Sequence, residues 1–203
     1  MIELVVATKN KKKLKEIKVI LRDLRFKISS LTDYSGVPRI IENGKTFKEN
    51  AVKKAVKTAR ATGKLALGED SGLCVDVLNG APGVYSARFS GKGKSDAQNN
   101  FKLLNLLKEI PLSRRKAYYS CAVALADENG LIGVVEGRCS GLIGFELKGW
   151  HGFGYDPLFI IPKYKNTFGQ LSESIKHKMS HRYHALEKAR KIIDKYIVKH
   201  KSG

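Results

Sequence analysis

Ile2 to Val6 is a short apolar run that ends in Ala7-Thr8-Lys9-Asn10, after which Leu14, Ile17, Leu21 and Leu24 recur at helical spacing. This order predicts a strand, a turn and a helix running to residue 24. Arg25 to Ser30 predicts a second strand, and Gly36-Val37-Pro38 breaks the chain before Glu42-Asn43-Gly44-Lys45. A second helix is signalled by Thr46 followed by Glu49, a capping box, with Phe47, Ala51, Ala55 and Ala59 forming one stripe that stops near Gly63.

Leu65-Ala66-Leu67 and Leu73 to Leu78 predict two short strands flanking a polar turn at Gly68-Glu69-Asp70-Ser71-Gly72, with Asp76 exposed. Ser95-Asp96 caps a helix whose Phe101, Leu104 and Leu107 edge runs to about Glu109, before Pro111. Tyr118 to Ala126 and Leu131 to Glu136 read as a hairpin, because the intervening Asn129-Gly130 supplies the positive φ angles of a tight turn. Leu158 to Ile161 closes the sheet region. Leu186, Ala189, Ile193 and Ile197 share a helical face that predicts a docked amphipathic helix, the alternative being a helix facing a membrane surface or RNA. No repeat, low-complexity tract or linker divides the chain, so residues 1–203 are expected to form one domain.

Composition narrows the setting. A chain of 203 residues buries enough apolar surface to fold without disulfides. Cys74, Cys121 and Cys139 are odd in number, widely spaced and set in apolar stretches, so they read as reduced packing residues. No apolar run approaches the roughly 18 to 20 residues that span a bilayer, and the start is too short for a signal peptide, so a cytoplasmic location and no membrane partner are expected. The net charge of +19 attracts polyanions, whether nucleic acid, an anionic membrane or nucleotide phosphates, or is a solvated lysine surface.

Four places concentrate polar chemistry. Thr8-Lys9-Asn10-Lys11-Lys12-Lys13 opens a helix with a hydroxyl, an amide, lysines and helix-start N–H groups, which is either an anion site or a cap followed by solvated lysines. In Glu69-Asp70-Ser71-Gly72 the adjacent carboxylates point opposite ways if the strand continues, so one faces a ligand; the plain reading is an Asx turn. Such a sparse acidic site suits Mg²⁺ on a polyphosphate, since phosphate oxygens and waters complete the octahedron. Gly149-Trp150-His151-Gly152-Phe153-Gly154-Tyr155-Asp156-Pro157 offers flat aromatic faces to a base, or packs on the core. Lys176-His177-Lys178-Met179-Ser180-His181-Arg182 gathers cations and hydrogen-bonding groups. His177 and His181 have zinc-pair spacing, but the surrounding cations oppose a dication and position 178 is Lys where a zinc protease needs Glu. Gly93-Lys94-Ser95 ends like a P-loop, yet position 88, where that motif needs glycine, is Arg88.

Together these places resemble the inosine triphosphate pyrophosphatase family, enzymes that remove noncanonical purine nucleotides such as ITP, dITP and XTP. The resemblance runs through Ala7-Thr8-x-Asn10-x-x-Lys13-x-x-Glu16, Glu42, Thr46-Phe47-x-Glu49-Asn50-Ala51, Asp70-Ser71-Gly72-Leu73 and Ala81-Pro82-Gly83-Val84-Tyr85-Ser86-Ala87-Arg88. It ends with Gly152-Phe153-Gly154-Tyr155-Asp156-Pro157, Lys176 and Ser180-His181-Arg182. It implies an α/β fold: an elongated, strongly twisted mixed β-sheet flanked by helices, with two lobes, an active-site cleft and a homodimer. It implies hydrolysis to the monophosphate and pyrophosphate with Mg²⁺, replaceable by Mn²⁺. Thr8, Asn10, Lys13 and Ser71 would hold the phosphates, Glu42 and Asp70 the metal, and Asp70 would also be the general base. Phe153 would stack on the base, with Gly154, Tyr155, Asp156, Lys176, His181 and Arg182 around it.

Two departures stand out. Glu69 occupies a position where the family commonly has Asp, which leaves its reach to the metal open, and Ile175 replaces an acidic residue often found before the lysine equivalent to Lys176. Two rival functions remain at this level: a pyrophosphatase with another base preference, and a nucleic-acid-binding module with no turnover. No specific nucleic acid partner is expected beside the nucleotide substrate.

Overall fold

The computed structural model describes residues 3–24, 26–91, 93 and 95–201; Ile2, Arg25 and Lys94, which figure in the expected strands and loop, lie outside them. Among the described residues seven strands, β1 (Glu3–Val6), β2 (Lys27–Ser30), β3 (Leu65–Val75), β4 (Lys116–Asp127), β5 (Gly130–Ile143), β6 (Phe159–Ile161) and β7 (Asn166–Thr167), make one sheet in the order β2-β1-β3-β4-β5-β6-β7. The helices are α1 (Lys11–Ile20), α2 (Phe47–Thr62), α3 (Asp96–Leu107), α4 (Glu173–Lys176) and α5 (His181–Lys201). β1 pairs in parallel with β2 and β3, whereas β6 is antiparallel to β5 and β7, so the sheet is mixed and the class is α/β, as expected.

The chain divides into two compact units. The first comprises residues 1–71, 121–137 and 181–203, and the second residues 72–120 and 138–180. In the first, Leu4, Val6, Ile17, Leu21, Leu67, Val123 and Leu186 centre one apolar cluster, and Ala51, Ala55 and Ala59 of α2 meet Ala66, Ala122, Ala124 and Ala126 in another. In the second, Leu73, Leu103, Leu107, Tyr119, Phe159 and Phe168 form the core. The three cysteines are free and buried, as packing residues should be.

The alanine seam explains how α2 lies so close to the sheet. A Cβ on Gly68 would run into the carbonyl oxygen of Ala51 and the amide nitrogen of Ala55, so glycine is needed for the approach rather than for its backbone angles. Gly137 has the same relation to the first turn of α5, against the His181 carbonyl oxygen and the Ala185 amide.

Two expectations are corrected. The polar stretch 68–72 is no turn: β3 runs unbroken through Glu69, Asp70 and Ser71, because their side chains are satisfied by groups from α1, α2 and α5 and need no exposure to water. α1 ends at Ile20 instead of residue 24, since Leu21 and Leu24 turn back through the Leu24 N–H to Leu21 carbonyl bond and still pack on the core. Thr46 caps α2 as predicted, but the Glu49 carboxylate reaches the N–H of Lys45, one residue earlier than a strict capping box. Among the described residues no helix is long and apolar enough to cross a membrane.

Candidate active site

The middle of β3 presents two carboxylates to two different sets of partners, as strand alternation requires. Glu69, 2% exposed, lies 3.0 Å from Lys13 Nζ and 3.0 Å from Arg182 Nη2. The other terminal nitrogen of Arg182, Nη1, pairs with Glu16 of α1. Ser71, two residues along and so on the same side as Glu69, accepts hydrogen bonds from Lys13 Nζ and Arg182 Nη2, both at 3.0 Å. The result is a buried lattice joining α1, β3 and the start of α5. Burial works against the Glu69 charge, but Lys13, Arg182 and Lys54 outweigh it and hold its pKa well below the ordinary range. For Arg182 burial is likewise outweighed, by Glu69 and Glu16, and its pKa is raised.

Asp70 faces α2. Asn50 Nδ2 donates to Asp70 Oδ2 at 3.0 Å, and Lys54 Nζ stands 3.7 Å from Oδ1 while donating to Glu42 Oε2 at 2.8 Å. Glu42 and Asp70, named together from the resemblance, are therefore brought together around one cation. Burial raises the pKa of Asp70, against the opposing pull of Lys54, Lys13 and the Asn50 hydrogen bond. Burial lowers that of Lys54, but the carboxylates of Asp70, Glu69 and Glu42 raise it further.

At the start of α1 both readings of the lysine run hold in part. Asn10 is the N-cap and its side chain accepts from the N–H groups of Lys12 at 2.9 Å and Lys13 at 3.1 Å, while Thr8 Oγ1 accepts from the Asn10 N–H at 3.1 Å. Lys13 turns inward to Glu69 and Ser71; Lys9, Lys11 and Lys12 are exposed.

Phe153, Gly154, Tyr155, Asp156 and Lys176 lie in the second unit. Asp156, 2% exposed, accepts from the Phe153 N–H at 2.8 Å and from Lys176 Nζ at 2.7 Å, and Lys176 Nζ also lies over the Phe153 ring, 4.8 Å from its centroid. The acidic partner missing at Ile175 is thus supplied by Asp156. Tyr155 is buried and its hydroxyl donates to the Ser86 carbonyl oxygen at 2.9 Å, so it packs the loop from beneath. Trp150 is 87% exposed. His181 and Arg182 belong to the first unit, both buried at the start of α5.

Lys54 was passed over in the sequence, where α2 read only as an alanine stripe. The signal was nonetheless present: Asn50, Lys54 and Thr58 follow one another at intervals of four, beside Ala51, Ala55 and Ala59, and all six are buried. A lysine in such a row needs a buried partner. Glu16 stood in the quoted motif without a role, and its pairing with Arg182 spans too much sequence for any local pattern to reveal.

No three His, Cys, Asp or Glu side chains cluster as a metal cage among the described residues. Glu42 and Asp70, converging on one ammonium, are a sparse carboxylate pair whose chemistry would suit a hard dication if phosphate oxygens and water supplied its other ligands.

A profile of the Ham1 family matches residues 4–192. The dITP/XTP pyrophosphatase of Desulforamulus reducens is 48% identical over 97% of this chain and 98% of that protein. The HAM1 protein of Coxiella burnetii superposes with a TM-score of 0.87 at 41% identity, covering 96% of this chain and 100% of the other. A dITP/XTP pyrophosphatase from Mycobacterium abscessus superposes with a TM-score of 0.77 at 40% identity, covering 93% of this chain and 98% of the other. The buried lattice around Glu69, the Asp70–Lys54–Glu42 group and these likenesses along nearly the whole chain lead to one conclusion: the protein belongs to the Ham1 family.

Proposed function

We propose that this protein hydrolyses noncanonical purine nucleoside triphosphates, dITP, ITP and XTP, to the monophosphate and pyrophosphate. The observation that carries the reading is Asp70: a buried carboxylate in mid-strand, its pKa raised by burial, aimed at Lys54 and Asn50 beside a second carboxylate, Glu42. Asp70 accepts the proton of the attacking water, and the Asn50 amide on Oδ2 and the Ser71 N–H on Oδ1 hold the carboxylate in one orientation for it. Lys13 and Ser71, with Thr8 and Asn10, receive the triphosphate, and Lys54 adds positive charge beside them. Arg182, whose guanidinium is committed to Glu16, Glu69 and Ser71, holds the phosphate-binding serine in place.

Glu42 and Asp70 would hold Mg²⁺, or Mn²⁺ in its place, which when bound neutralises phosphate charge and favours departure of pyrophosphate. Phe153 stacks on the purine, and Lys176, whose ammonium lies over the Phe153 ring, offers a donor to a 6-oxo group. The 6-amino group of adenine presents donor against donor there, a mismatch that discriminates by about 10⁴ to 10⁵ when the site is built to hydrogen-bond. The protein acts as a homodimer, a reading that light scattering on the purified protein tests directly.

The test is pyrophosphate release from ITP, XTP, dITP, ATP, GTP and dTTP with Mg²⁺, using the intact protein and Asp70→Asn. Selective turnover of the inosine and xanthine nucleotides that collapses in the variant is expected. Preference for dTTP would replace the base assignment, and a folded protein without turnover would sink the reading.

A further inference from the structure

The loop that carries Phe153 is gripped from α3, a helix with no part in the site so far. Asp96, the first residue of α3, accepts a hydrogen bond from the Gly154 N–H at 2.8 Å. Asn100, one turn further and 4% exposed, donates from Nδ2 to the Gly154 carbonyl oxygen at 2.9 Å. Two side chains at i and i+4 on one helix thus take hold of both main-chain polar groups of a single glycine. They do so across 58 and 54 residues of sequence, so the bonds stabilise no local turn.

Gly154 has a φ of 64°, and a Cβ there would meet nothing within 4 Å, so the position demands glycine for its left-handed backbone and not for want of room. Such a residue reorients its flanking peptides at little steric cost. A side-chain clamp on both of its polar groups selects one orientation. What is selected is the setting of its neighbours: the Phe153 N–H on Asp156, and through Asp156 the Lys176 ammonium over the Phe153 ring.

We propose that Asp96 and Asn100 are positioning residues for base recognition, holding the Gly154 peptide so that the Phe153 face is preformed before a purine arrives. The inference rests on the assignment of Phe153 to the base. A preformed face saves the ordering that binding would otherwise require, so its loss weakens ground-state and transition-state binding alike and shows in KM while kcat is spared.

The experiment compares Asp96→Ala, Asn100→Ala and the conservative Asp96→Asn, which keeps an acceptor oxygen, with the unsubstituted protein. Two readouts are taken: steady-state kinetics on ITP and ATP, and fluorescence anisotropy of Trp150, the single tryptophan, four residues before Gly154. KM for ITP should rise about tenfold in either alanine variant, roughly what one lost hydrogen bond is worth. The rise should come with kcat within about twofold, a lower ITP-to-ATP ratio of kcat/KM and a lower Trp150 anisotropy, with Asp96→Asn close to the starting values. Two alanine variants guard against one failing to fold. Unchanged KM and anisotropy in a folded variant overturn the proposal, as does a lower melting temperature with KM unchanged, which marks a merely structural role. No turnover by the unsubstituted protein overturns the base assignment and this proposal with it, and that failure is seen before any substitution is made.

Discussion

Glu69 and Asp70 are neighbours in sequence yet carry opposite electrostatic burdens. The ionised form of Glu69 is favoured by the fold, so it contributes stability above its unfolded pKa of about 4.3, lost as pH falls through its depressed folded value. Removing that charge takes the carboxylate from Lys13 and leaves Arg182 with Glu16 alone, and Glu69→Gln should cost about 3 kcal/mol in urea unfolding at pH 7. Asp70 runs the other way. Its folded pKa is raised, so its contribution is fully present below its unfolded pKa of about 3.9 and is lost as pH rises through the folded value. At neutral pH the ionised carboxylate therefore weighs against the fold, and Asp70→Asn, which can still accept from Asn50, should keep or raise the melting temperature while lowering kcat by at least about 10². An acidic limb of kcat/KM that reports Asp70 should vanish from any residual activity of Asp70→Asn. A variant that lost activity and melting temperature together would contradict this separation of roles.

At the scale of elements, the site depends on how near α2 lies to β3. Gly68→Ala places a methyl group against the backbone of Ala51 and Ala55, and the helix can only move away, taking Asn50 and Lys54 from Asp70. Overpacking of this kind costs typically 1 to 3 kcal/mol. Gly68→Ala should lose activity out of proportion to that cost, which paired melting and kinetic measurements will show. Legibility in the sequence followed the same division. The alanine stripe of α2, the Ser95 and Thr46 caps, the β4–β5 hairpin, in whose Asn129-Gly130 pair only Gly130 takes a positive φ, and the apolar face of α5 were readable because each is a local pattern. β3 was misread as two strands around a turn, since nothing local reveals that α1, α2 and α5 will satisfy three consecutive polar side chains. Lys54 was missed for the same reason, as its carboxylate partners lie 12 and 16 residues away along the chain. Glu42, Asp70, Lys13, Ser71, Phe153, Asp156 and Lys176 were singled out by the resemblance and not by periodicity, because their contacts join residues distant in sequence.

For the whole molecule, the charge of +19 is the largest feature without a place in the reaction. Lys11, Lys12, Lys15 and Lys18 lie exposed along α1, whose inward Lys13 meets Ser71, so part of this charge borders residues assigned to the triphosphate. A field of that kind accelerates encounter with a polyanion and is screened over about 10 Å at 0.1 M salt, whereas the buried contacts of Asp70 and Glu69 are screened far less. The two contributions therefore separate by ionic strength. Raising salt from about 0.01 M to 0.5 M should lower kcat/KM for ITP roughly tenfold and leave kcat nearly unchanged. The triple substitution Lys11→Gln, Lys12→Gln, Lys15→Gln should flatten that dependence without altering kcat, because none of the three is assigned to chemistry. If the salt slope survives the substitutions, the steering charge lies on another face. If instead the protein retains RNA with a steep salt dependence and turns over no nucleotide, the lysines serve a nucleic acid and the charge, not the β3 carboxylates, is the guide to its function.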